Sequence, residues 1–455
     1  MKPLDLNFIY QALNTKGHAA NQTVKRIVTD SRDIREGDVF FALEGERFDA
    51  HDFVGDVLTK GAVAAVVSRE DCIGLPGALQ VDDTLIALQQ LAKAWRENVD
   101  PMVFGITGSS GKTTVKEMLA GILRRRFGET VVLATTGNFN NHIGLPLTLM
   151  KLTEHHRYAV IEMGMSHFGE LALLTRIAEP DVALVNNAMR AHVGCGFNGV
   201  GDIAQAKSEI YQGVASDGLA LIPAQDANIT VFQSATTGLK QQTFGAEKGD
   251  IHAENIVLKP LSCEFDLVYE GERAAVVLPV PGKHNVSNAC AAAALARAAG
   301  LNLQEISDGL KAFSNIKGRL QIKKGIKNTT IIDDTYNANP DSMKAAIDVL
   351  AALPAPRVFV MGDMGELGEA EAAAMHTEVG EYARSKGIDA AYFVGDESVE
   401  SAETFGSAGL WFADKDPLIQ VMKHDLPEHA HVLVKGSRFM KMEEVVEALI
   451  NVSNG

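Results

Sequence analysis

Cysteine, aromatic residues and positive charge are all scarce in this sequence of 455 residues. The four cysteines, Cys72, Cys195, Cys263 and Cys290, lie far apart and form no C-x-x-C pair. This spacing favours unpaired thiols in a reducing compartment over disulfides or a thiolate metal site. The net charge of -16 argues against a broad surface for nucleic acid or anionic membrane, because such partners need clustered Lys and Arg. An anionic substrate must therefore meet a local basic site.

Apolar runs long enough to cross a membrane are also missing. The first residues, MKPLDLNFIYQALN, contain no sustained apolar stretch before Asp5, so they predict neither a signal peptide nor an anchor. The alanine-rich stretch NACAAAALARAAGL is interrupted by Arg297 and is shorter than the ~20 apolar residues of a membrane span. We therefore expect a cytoplasmic protein without a membrane span.

The chain separates into three blocks, which is consistent with the usual size of domains. Short strand-like runs such as DVFFAL and AVAAVVS precede an amphipathic helix in the first block. Apolar runs alternate with helical stretches in the second block and again in the third, as in sheets wrapped by helices. The prediction is an α/β protein with a small N-terminal α/β substrate domain, a central P-loop domain with a mostly parallel sheet, and a doubly wound Rossmann-like C-terminal domain. The expected boundaries are 1–98, 99–316 and 317–455, with a hinge over residues 315–319.

The stretch GITGSSGKTT, residues 105–114, joins a buried strand-like run, MVFGI, to a helix-like segment, TTVKEMLAGILRRRF. A strand, a glycine-rich turn and a helix in this order are typical of a phosphate-binding loop, although Ile106 replaces the first glycine of the usual pattern. Backbone N–H groups, the helix dipole and Lys112 can bind phosphate oxygens there, and Thr113 can bind magnesium. The predicted ATP-binding residues of this loop are Gly108, Ser109, Ser110, Gly111, Lys112, Thr113 and Thr114.

Further motifs extend over nearly the whole chain. They are TDSRDIREGDVFFALEG, GITGSSGKTT, TGNFNNHIGLP, VIEMGMSHFGEL, AQAKSEI, PGKHNVSNACAA, KGRLQ, DDTYNANPDSM, MGDMGELG and VLVKGSR. In this order they resemble the Mur ligase family, the ATP-dependent amide-forming enzymes of peptidoglycan precursor synthesis.

This resemblance implies a specific reaction. DDTYNANPDSM is similar to the members that join D-alanyl-D-alanine to UDP-N-acetylmuramoyl-tripeptide, and the D-N-P-R motif of members that select a diamino acid is absent. Such an enzyme forms an acyl phosphate and releases UDP-MurNAc-pentapeptide, ADP and phosphate. The expected cofactors are ATP and two Mg²⁺ ions, and the expected partners are the two peptide substrates.

The resemblance also implies a catalytic set. Glu162 would bind one magnesium ion and His192 would help to hold the second. Lys207 would be carbamylated by CO₂, which turns a cation into a metal-binding anion. The expected catalytic residues are Lys112, Glu162, His192 and Lys207, and the expected metal ligands are Thr113, Glu162, His192 and the carbamate of Lys207.

Other roles follow from the same resemblance. Asn285 and Asn288 would surround the adenine, while Arg319 would contact phosphate and Asp334 the ribose. The expected substrate-binding residues are Ser31, Arg32, Gly45, Asp49 and His51 for the uridine, Thr136, Asn138 and Asn140 in an amide-rich loop, and Asn337, Asn339, Lys435, Ser437 and Arg438 in the third block.

Alternatives stay open on the sequence alone. Taken singly, Glu162 is also typical of a solvated loop, His192 of a structural histidine and Lys207 of an exposed lysine. A folate polyglutamate ligase or another muramoyl ligase would share the chemistry, although the uridine-like segment argues against the folate enzyme. A nucleotide-gated regulatory protein would bind ATP without ligation. For the ligase we expect a monomer.

Overall fold

The computed structural model describes residues 4–15, 22–46, 48–314 and 316–450, which form two compact units. The first contains the residues up to Ile106, then Phe127–Ala183 and Glu209–Gly218. The second contains Thr107–Arg126, Leu184–Ser208 and the chain from Leu219 onward. The predicted hinge begins at Asn315, which lies outside the described residues.

The first unit opens with a small parallel sheet and its helices. Their bounds are α1 (Leu6–Ala12), β1 (Arg26–Val28), β2 (Asp38–Phe41), α2 (Val54–Thr59), β3 (Ala64–Val67), β4 (Ala78–Gln80) and α3 (Thr84–Val99). The strand order is β1-β2-β3-β4, and all neighbours are parallel. Asp83 begins α3 by accepting hydrogen bonds from the N–H groups of Leu85 and Ile86, as an N-cap does.

A second group of parallel strands follows in the chain. Its elements are β5 (Met102–Thr107), α4 (Lys112–Phe127), β6 (Val132–Ala134), α5 (Gly144–Leu149), β7 (Tyr158–Glu162), α6 (Glu170–Ala178) and β8 (Val182–Val185). β7 pairs in parallel with β5 on one side and with β6 on the other. Every residue of β7 is buried, as expected for a strand covered on both faces. β8 carries the chain from the first unit into the second.

The second unit continues the α/β pattern and then changes it. Its next elements are α7 (Val200–Ser208), β9 (Leu219–Pro223), α8 (Ile229–Ala235), β10 (Lys240–Gly245), β11 (Ile251–Lys259), β12 (Ser262–Tyr269), β13 (Glu272–Leu278), α9 (Lys283–Ala298) and α10 (Leu303–Lys311). β9, β10 and β11 are parallel, whereas β12 and β13 run antiparallel to their neighbours. Buried and exposed residues alternate along β13, so these antiparallel strands have a single covered face.

The C-terminal region forms its own sheet. Its elements are β14 (Gln321–Lys324), β15 (Thr330–Asp334), α11 (Pro340–Ala351), β16 (Arg357–Gly362), α12 (Glu369–Ser385), β17 (Ala390–Val394), α13 (Ser398–Phe405), β18 (Gly409–Phe412), α14 (Lys415–Asp425), β19 (His431–Lys435) and α15 (Glu443–Leu449). The strand order is β14-β15-β19-β16-β17-β18, and only β14 is antiparallel to its neighbour. Because β19 lies between β15 and β16, residues that follow these three strands meet at one edge of the sheet.

The structure confirms the predicted α/β class and the mostly parallel sheets. It also confirms that the four cysteines are unpaired thiols, of which Cys195 is exposed and the others are buried. Within the described ranges, no helix has the length and apolar character needed to cross a membrane. The boundaries at residues 98 and 316 stay a prediction.

Candidate active site

Residues 108–111 connect β5 to α4, as the glycine-rich pattern predicted. Gly111 has a φ of 77°, in the left-handed region that glycine adopts readily. A Cβ at this position would lie 2.5 Å from Nδ2 of Asn186 and 2.5 Å from Oδ1 of Asn288. The loop therefore requires glycine here both for its backbone angle and for the close approach of two amide side chains.

Two asparagines that follow β8 shape this loop. The backbone carbonyl of Asn187 accepts from the N–H of Ser109 over 3.1 Å, and its Oδ1 accepts from the N–H of Ser110 over 3.0 Å. Asn186 donates from Nδ2 to the carbonyl of Ser110 over 2.9 Å. The conformation of the loop is thus fixed from a neighbouring segment as well as by its own glycines.

A chain of hydrogen bonds between asparagine side chains connects α9 to the same loop. Asn186 donates to Oδ1 of Asn288 over 2.9 Å, Asn288 donates to Oδ1 of Asn285 over 3.1 Å, and Asn285 donates to the carbonyl of Pro281 over 2.7 Å. All three side chains are buried. Asn285 and Asn288 therefore support the phosphate loop, and their expected contact with adenine stays a prediction.

Two lysines of the second unit, Lys112 and Lys207, are close enough for the charge of the first to lower the pKa of the second. Lys112, the first residue of α4, donates from Nζ to the carbonyl of Gly108 over 2.6 Å, which keeps the ammonium group against the loop. Lys207 lies on α7 with 2% of its surface exposed. Burial, and secondly the positive charge of Lys112, hold the pKa of Lys207 well below its usual value. Nothing in the local sequence indicated so deeply buried a lysine on this helix.

Arg319 reaches the beginning of α4 from the C-terminal region of the chain. Its Nη2 donates to Oγ1 of Thr113 over 2.8 Å, and its guanidinium lies 4.2 Å from the centre of the Tyr336 ring. Asp334 accepts from Nζ of Lys435 over 2.6 Å, so these two expected ligand-binding residues form a nearly buried ion pair. A cationic group thus lies beside the helix N-terminus where phosphates are expected to bind.

Several expected dipeptide-binding side chains have structural partners. Asn339 caps α11 by accepting from the N–H of Ser342, and the Oγ of Ser437 accepts from the N–H of Gly365 over 2.6 Å. Asn337 accepts from Lys435 through its backbone carbonyl over 2.9 Å. Arg438 is exposed and pairs with Glu443 over 2.8 Å. These residues lie at the sheet edge formed by β15 and β19, and their contact with substrate stays a prediction.

His192 lies in the connection between β8 and α7. Its backbone has a φ of 68°, which is uncommon for a residue other than glycine. Its Nδ1 is 3.6 Å from Oε2 of Glu366, so protonation of the ring would create an ion pair. The same connection therefore carries both the asparagines that shape the phosphate loop and this expected metal ligand.

Glu162 belongs to the first unit, where it ends β7 opposite Ile106 of β5. Its side chain is buried, its Oε1 accepts from Nδ2 of Asn140 over 2.9 Å, and its backbone N–H donates to Oγ1 of Thr135 over 3.0 Å. Thr136 and Asn138 are exposed in the loop that follows β6. Glu162 is consequently held rigidly at the carboxyl end of a strand.

The expected uridine segment also lies in the first unit. His51 is buried, with Nδ1 2.6 Å from Oδ1 of Asp49 and Nε2 accepting from the N–H of Ser68 over 2.9 Å. Arg32 is exposed and pairs with Asp30, while Gly45 donates its N–H to a backbone carbonyl. Ser31 is half-buried in the same turn region. Both ring nitrogens of His51 have partners, so its role in the described structure is to hold this segment.

Three profiles of known domains match the chain in order. The Mur ligase family catalytic domain matches residues 23–97, the Mur ligase middle domain matches 106–296, and the Mur ligase glutamate ligase domain matches 318–438. The chain belongs to the Mur ligase family.

Relatives and solved structures cover almost all of this Mur ligase. It is 42% identical to the UDP-N-acetylmuramoyl-tripeptide--D-alanyl-D-alanine ligase of Haemophilus influenzae over 94% of each chain, and 43% identical to the Escherichia coli enzyme of that name over 99% of each. A crystal structure of MurF from Acinetobacter baumannii is 38% identical, covers 98% of each chain and has a TM-score of 0.90. MurF ligase from Thermotoga maritima in complex with ADP is 28% identical over 94% of this chain and 98% of that one, with a TM-score of 0.84. Three α/β domains in this order agree with the predicted fold class.

The side chains of this Mur ligase suit a magnesium ion that is bound mainly through substrate phosphates and water. Across the described ranges, no three or more His, Cys, Asp or Glu side chains form a group that could hold a metal ion. Mg²⁺ usually keeps several waters and binds through one or two carboxylates together with substrate phosphates. The hydroxyl of Thr113 in the second unit is an oxygen donor of the kind that Mg²⁺ prefers, and so is the carboxylate of Glu162 in the first unit. Lys207 would need to become an anion first, and binding of Mg²⁺ by any of these residues or by His192 stays a prediction.

Sequence reasoning missed several residues of the Mur ligase site. Asn186 and Asn187 end the run VALVNN, and polar residues at the carboxyl end of a buried strand are a signal for a binding edge. Tyr336 was visible only as a member of a motif, and its place beneath Arg319 depends on a contact between distant segments.

Proposed function

We propose that this Mur ligase joins D-alanyl-D-alanine to UDP-N-acetylmuramoyl-tripeptide and converts ATP to ADP and phosphate. The product is UDP-N-acetylmuramoyl-pentapeptide, a peptidoglycan precursor. The observation that carries the assignment is the identity of 42% and 43% to two enzymes of that name over nearly their whole length. The geometry of the phosphate loop supports ATP as the energy source, and ADP in the Thermotoga maritima relative supports it further.

The first chemical step activates the tripeptide. A terminal carboxylate oxygen attacks the γ-phosphorus of ATP, the bond between that phosphorus and the bridging oxygen breaks, and ADP leaves with the electron pair. Lys112 and Arg319 stabilise the negative charge on the transferring group, since both cations lie at the beginning of α4. Magnesium, when bound, neutralises further charge on the phosphates.

The second step forms the amide. The neutral amine of the dipeptide attacks the carbonyl carbon of the acyl phosphate, phosphate leaves with the electron pair of the broken C–O bond, and the nitrogen gives its second proton to the leaving phosphate. The ammonium proton is lost to solvent before the attack. Exclusion of bulk water from the acyl phosphate protects it from hydrolysis while the amine binds.

We also propose that Lys207 is carbamylated, because its side chain is buried. A buried cation without a counter-ion is costly, and no carboxylate among the described residues pairs with this Nζ. The lowered pKa increases the fraction of neutral amine, whose lone pair can attack CO₂ to form an N–C bond with loss of a proton. The resulting carbamate is an anion near Lys112 and a suitable magnesium ligand.

Substrate contacts complete the proposal. We assign binding of the UDP-sugar to residues 1–98 and binding of ATP to residues 99–316. Residues 317–455 close over ATP and bind the dipeptide. The enzyme is a monomer that binds two Mg²⁺ ions and works in the cytoplasm. The unpaired cysteines support a reducing compartment. The proposed ligand contacts are Ser31, Arg32, Gly45, Asp49 and His51 for uridine, Thr136, Asn138 and Asn140 for the tripeptide and phosphate, Asn285, Asn288, Arg319 and Asp334 for ATP, and Asn337, Asn339, Lys435, Ser437 and Arg438 for the dipeptide.

Phosphate release tests the reaction directly. The enzyme is given ATP and Mg²⁺ with UDP-muramoyl-tripeptide alone, with D-alanyl-D-alanine alone, and with both. Sustained release that needs both, with a product heavier than the tripeptide substrate by one dipeptide less water, is the expected result. Release that ignores the peptides would instead favour a nucleotide-gated protein.

A variant pair connects that reaction to the phosphate loop. Lys112→Ala should lower turnover by at least about 10³-fold, since it removes a charge from the transferring phosphoryl group. Lys248→Ala removes an exposed lysine elsewhere and should leave turnover unchanged. Equal turnover in the two variants, with both folded by circular dichroism, would reject the role of Lys112.

A further inference from the structure

Arg190 stands where the β8–α7 connection meets two helices of the C-terminal region. Its Nη2 donates to Oδ1 of Asp341 over 2.6 Å, and its Nη1 donates to Oε2 of Glu378 over 2.6 Å. The backbone N–H of Arg190 also donates to Oδ2 of Asp341 over 3.0 Å. Asp341 lies in the first turn of α11 and Glu378 lies on α12, so one guanidinium holds both helices.

These pairs are partly shielded from solvent. The exposed fractions of the side chains are 28% for Arg190, 27% for Asp341 and 35% for Glu378. The hydrogen bonds from Arg190, with a smaller contribution from Lys344, hold the pKa of Glu378 below its usual value. Forked contacts of a guanidinium with two carboxylates define orientation more strictly than a single ion pair does.

The residues just before Arg190 contact the phosphate loop. Met189 donates its N–H to Oγ of Ser109 over 2.9 Å and accepts from the same hydroxyl over 3.1 Å. Asn187 binds the N–H groups of Ser109 and Ser110, as described above. Only one peptide bond separates Met189 from the residue that holds α11 and α12.

The residues just after Arg190 contact the C-terminal region a second time. The carbonyl of Val193 accepts from the N–H of Gly368, which caps α12, over 2.9 Å. A Cβ on Gly194 would lie 2.5 Å from Cα of Gly368, so the two backbones are in direct contact. Residues 187–194 of the connection therefore contact the phosphate loop at one end and the C-terminal helices at the other.

We propose that Arg190 is a positioning residue for the phosphate loop. Helices α11 and α12 hold Arg190, Arg190 fixes the β8–α7 connection, and the connection sets the conformation of the loop. It does not touch the reacting atoms. Its guanidinium fixes the connection at residue 190, and the hydrogen bonds of Asn187 and Met189 transmit that position to Ser109 and Ser110. Its effect on turnover rests on the proposed function, whereas its effect on the loop does not.

The test compares Arg190→Ala with Lys386→Ala. Lys386 pairs with Asp348 over 2.6 Å between the end of α12 and α11, without touching the connection, so its loss controls for an ordinary ion pair of the same helices. We expect Arg190→Ala to raise both the KM for ATP and the Kd for ADP about tenfold. We also expect faster hydrogen exchange in a peptide that covers residues 105–115, while Lys386→Ala changes none of these.

Two further variants keep the proposal testable if Arg190→Ala folds poorly. Arg190→Lys keeps the charge but not the fork, and should give an intermediate KM and exchange rate. Asp341→Asn should act through the same contacts, so adding it to Arg190→Ala should raise the KM little further. A lower melting temperature in the Arg190 variants, with KM, Kd and exchange as in Lys386→Ala, would overturn the proposal. Failure of the wild type to ligate would reject the proposed function, and the exchange rates would still decide the role of Arg190.

Discussion

Arg319 donates a hydrogen bond to Thr113 over 2.8 Å, although a large stretch of the chain separates them. Thr113 lies in the first turn of the helix that follows the phosphate loop, and Arg319 shortly precedes β14. The contact brings a permanent cation to the position where the phosphates of ATP are expected. It also explains how a motif as short as KGRLQ can belong to a nucleotide site formed mainly by the central region of the chain.

Arg319→Ala should lower kcat/KM for ATP at least about 100-fold, because it removes a positive charge that stabilises the transferring phosphoryl group. Arg319→Lys should recover some of this loss, since lysine keeps the charge without the planar group over Tyr336. Lys324→Ala, at an exposed position on β14, is the matched control. Phosphate release with both peptides at saturation measures the effect, and an Arg319→Ala enzyme as active as the Lys324 variant would contradict it.

Gly111→Ala should unfold the loop locally and weaken ADP binding strongly. The added Cβ would lie 2.5 Å from both Asn186 and Asn288, and alanine is strained at a φ of 77°. The free energy of unfolding should fall by about 2 kcal/mol or more.

Gly121→Ala on α4, the helix that follows the loop, is the control for Gly111→Ala, because nothing lies within 4 Å of its added Cβ. It should stabilise the protein by about 0.5 to 1 kcal/mol. Urea unfolding and calorimetry with ADP measure both variants, and similar values for the two would show that the Gly111 contact is unimportant.

Lys207→Ala should be inactive and partly restored by a small carboxylate such as acetate or formate, which can replace the carbamate in the space left by the side chain. Wild-type enzyme prepared with ¹³C-labelled bicarbonate should give a carbamate carbon signal that is missing from the variant. Full activity of Lys207→Ala without additives would remove this lysine from the mechanism.

The lowered pKa of Lys207 also predicts how stability depends on pH in protein freed of CO₂ and metal. The unfolded chain binds one more proton than the folded chain between the lowered pKa and the ordinary value of about 10.4. Stability therefore rises with pH in this window, by up to about 1.4 kcal/mol per pH unit.

Lys207→Met removes the titratable amino group and keeps a side chain of similar length. It therefore isolates the contribution of Lys207 ionisation to the pH dependence of stability. Its stability advantage over the wild type should shrink in urea unfolding experiments as the pH rises from the lowered pKa of Lys207 toward the ordinary value for lysine. An advantage that does not change with pH would show that Lys207 titrates normally.

The phosphate loop could be predicted well because every signal for it is local. Apolar runs indicated β5 and α4, and the intervening glycines indicated the turn. The support of the loop by Asn288 through Asn186 could not be predicted, since this contact joins residues far apart in the chain. Nor could the antiparallel β12 and β13, because strand direction depends on pairing and not on the alternation of residue types. Arg190 is an ordinary arginine until its two carboxylate partners are seen in space.

The burial of α9 has a consequence for how such an enzyme changes during evolution. The side chains from Ala289 to Ala296 are fully buried, so the helix packs on all of its faces and leaves no space for larger residues. Asn288 immediately precedes this stretch and contacts the phosphate loop through Asn186. An enlarged side chain between Ala289 and Ala296 would shift the helix and Asn288 with it. Natural selection on the shape of the phosphate loop therefore also acts on alanines of α9 that form no side-chain hydrogen bond with it.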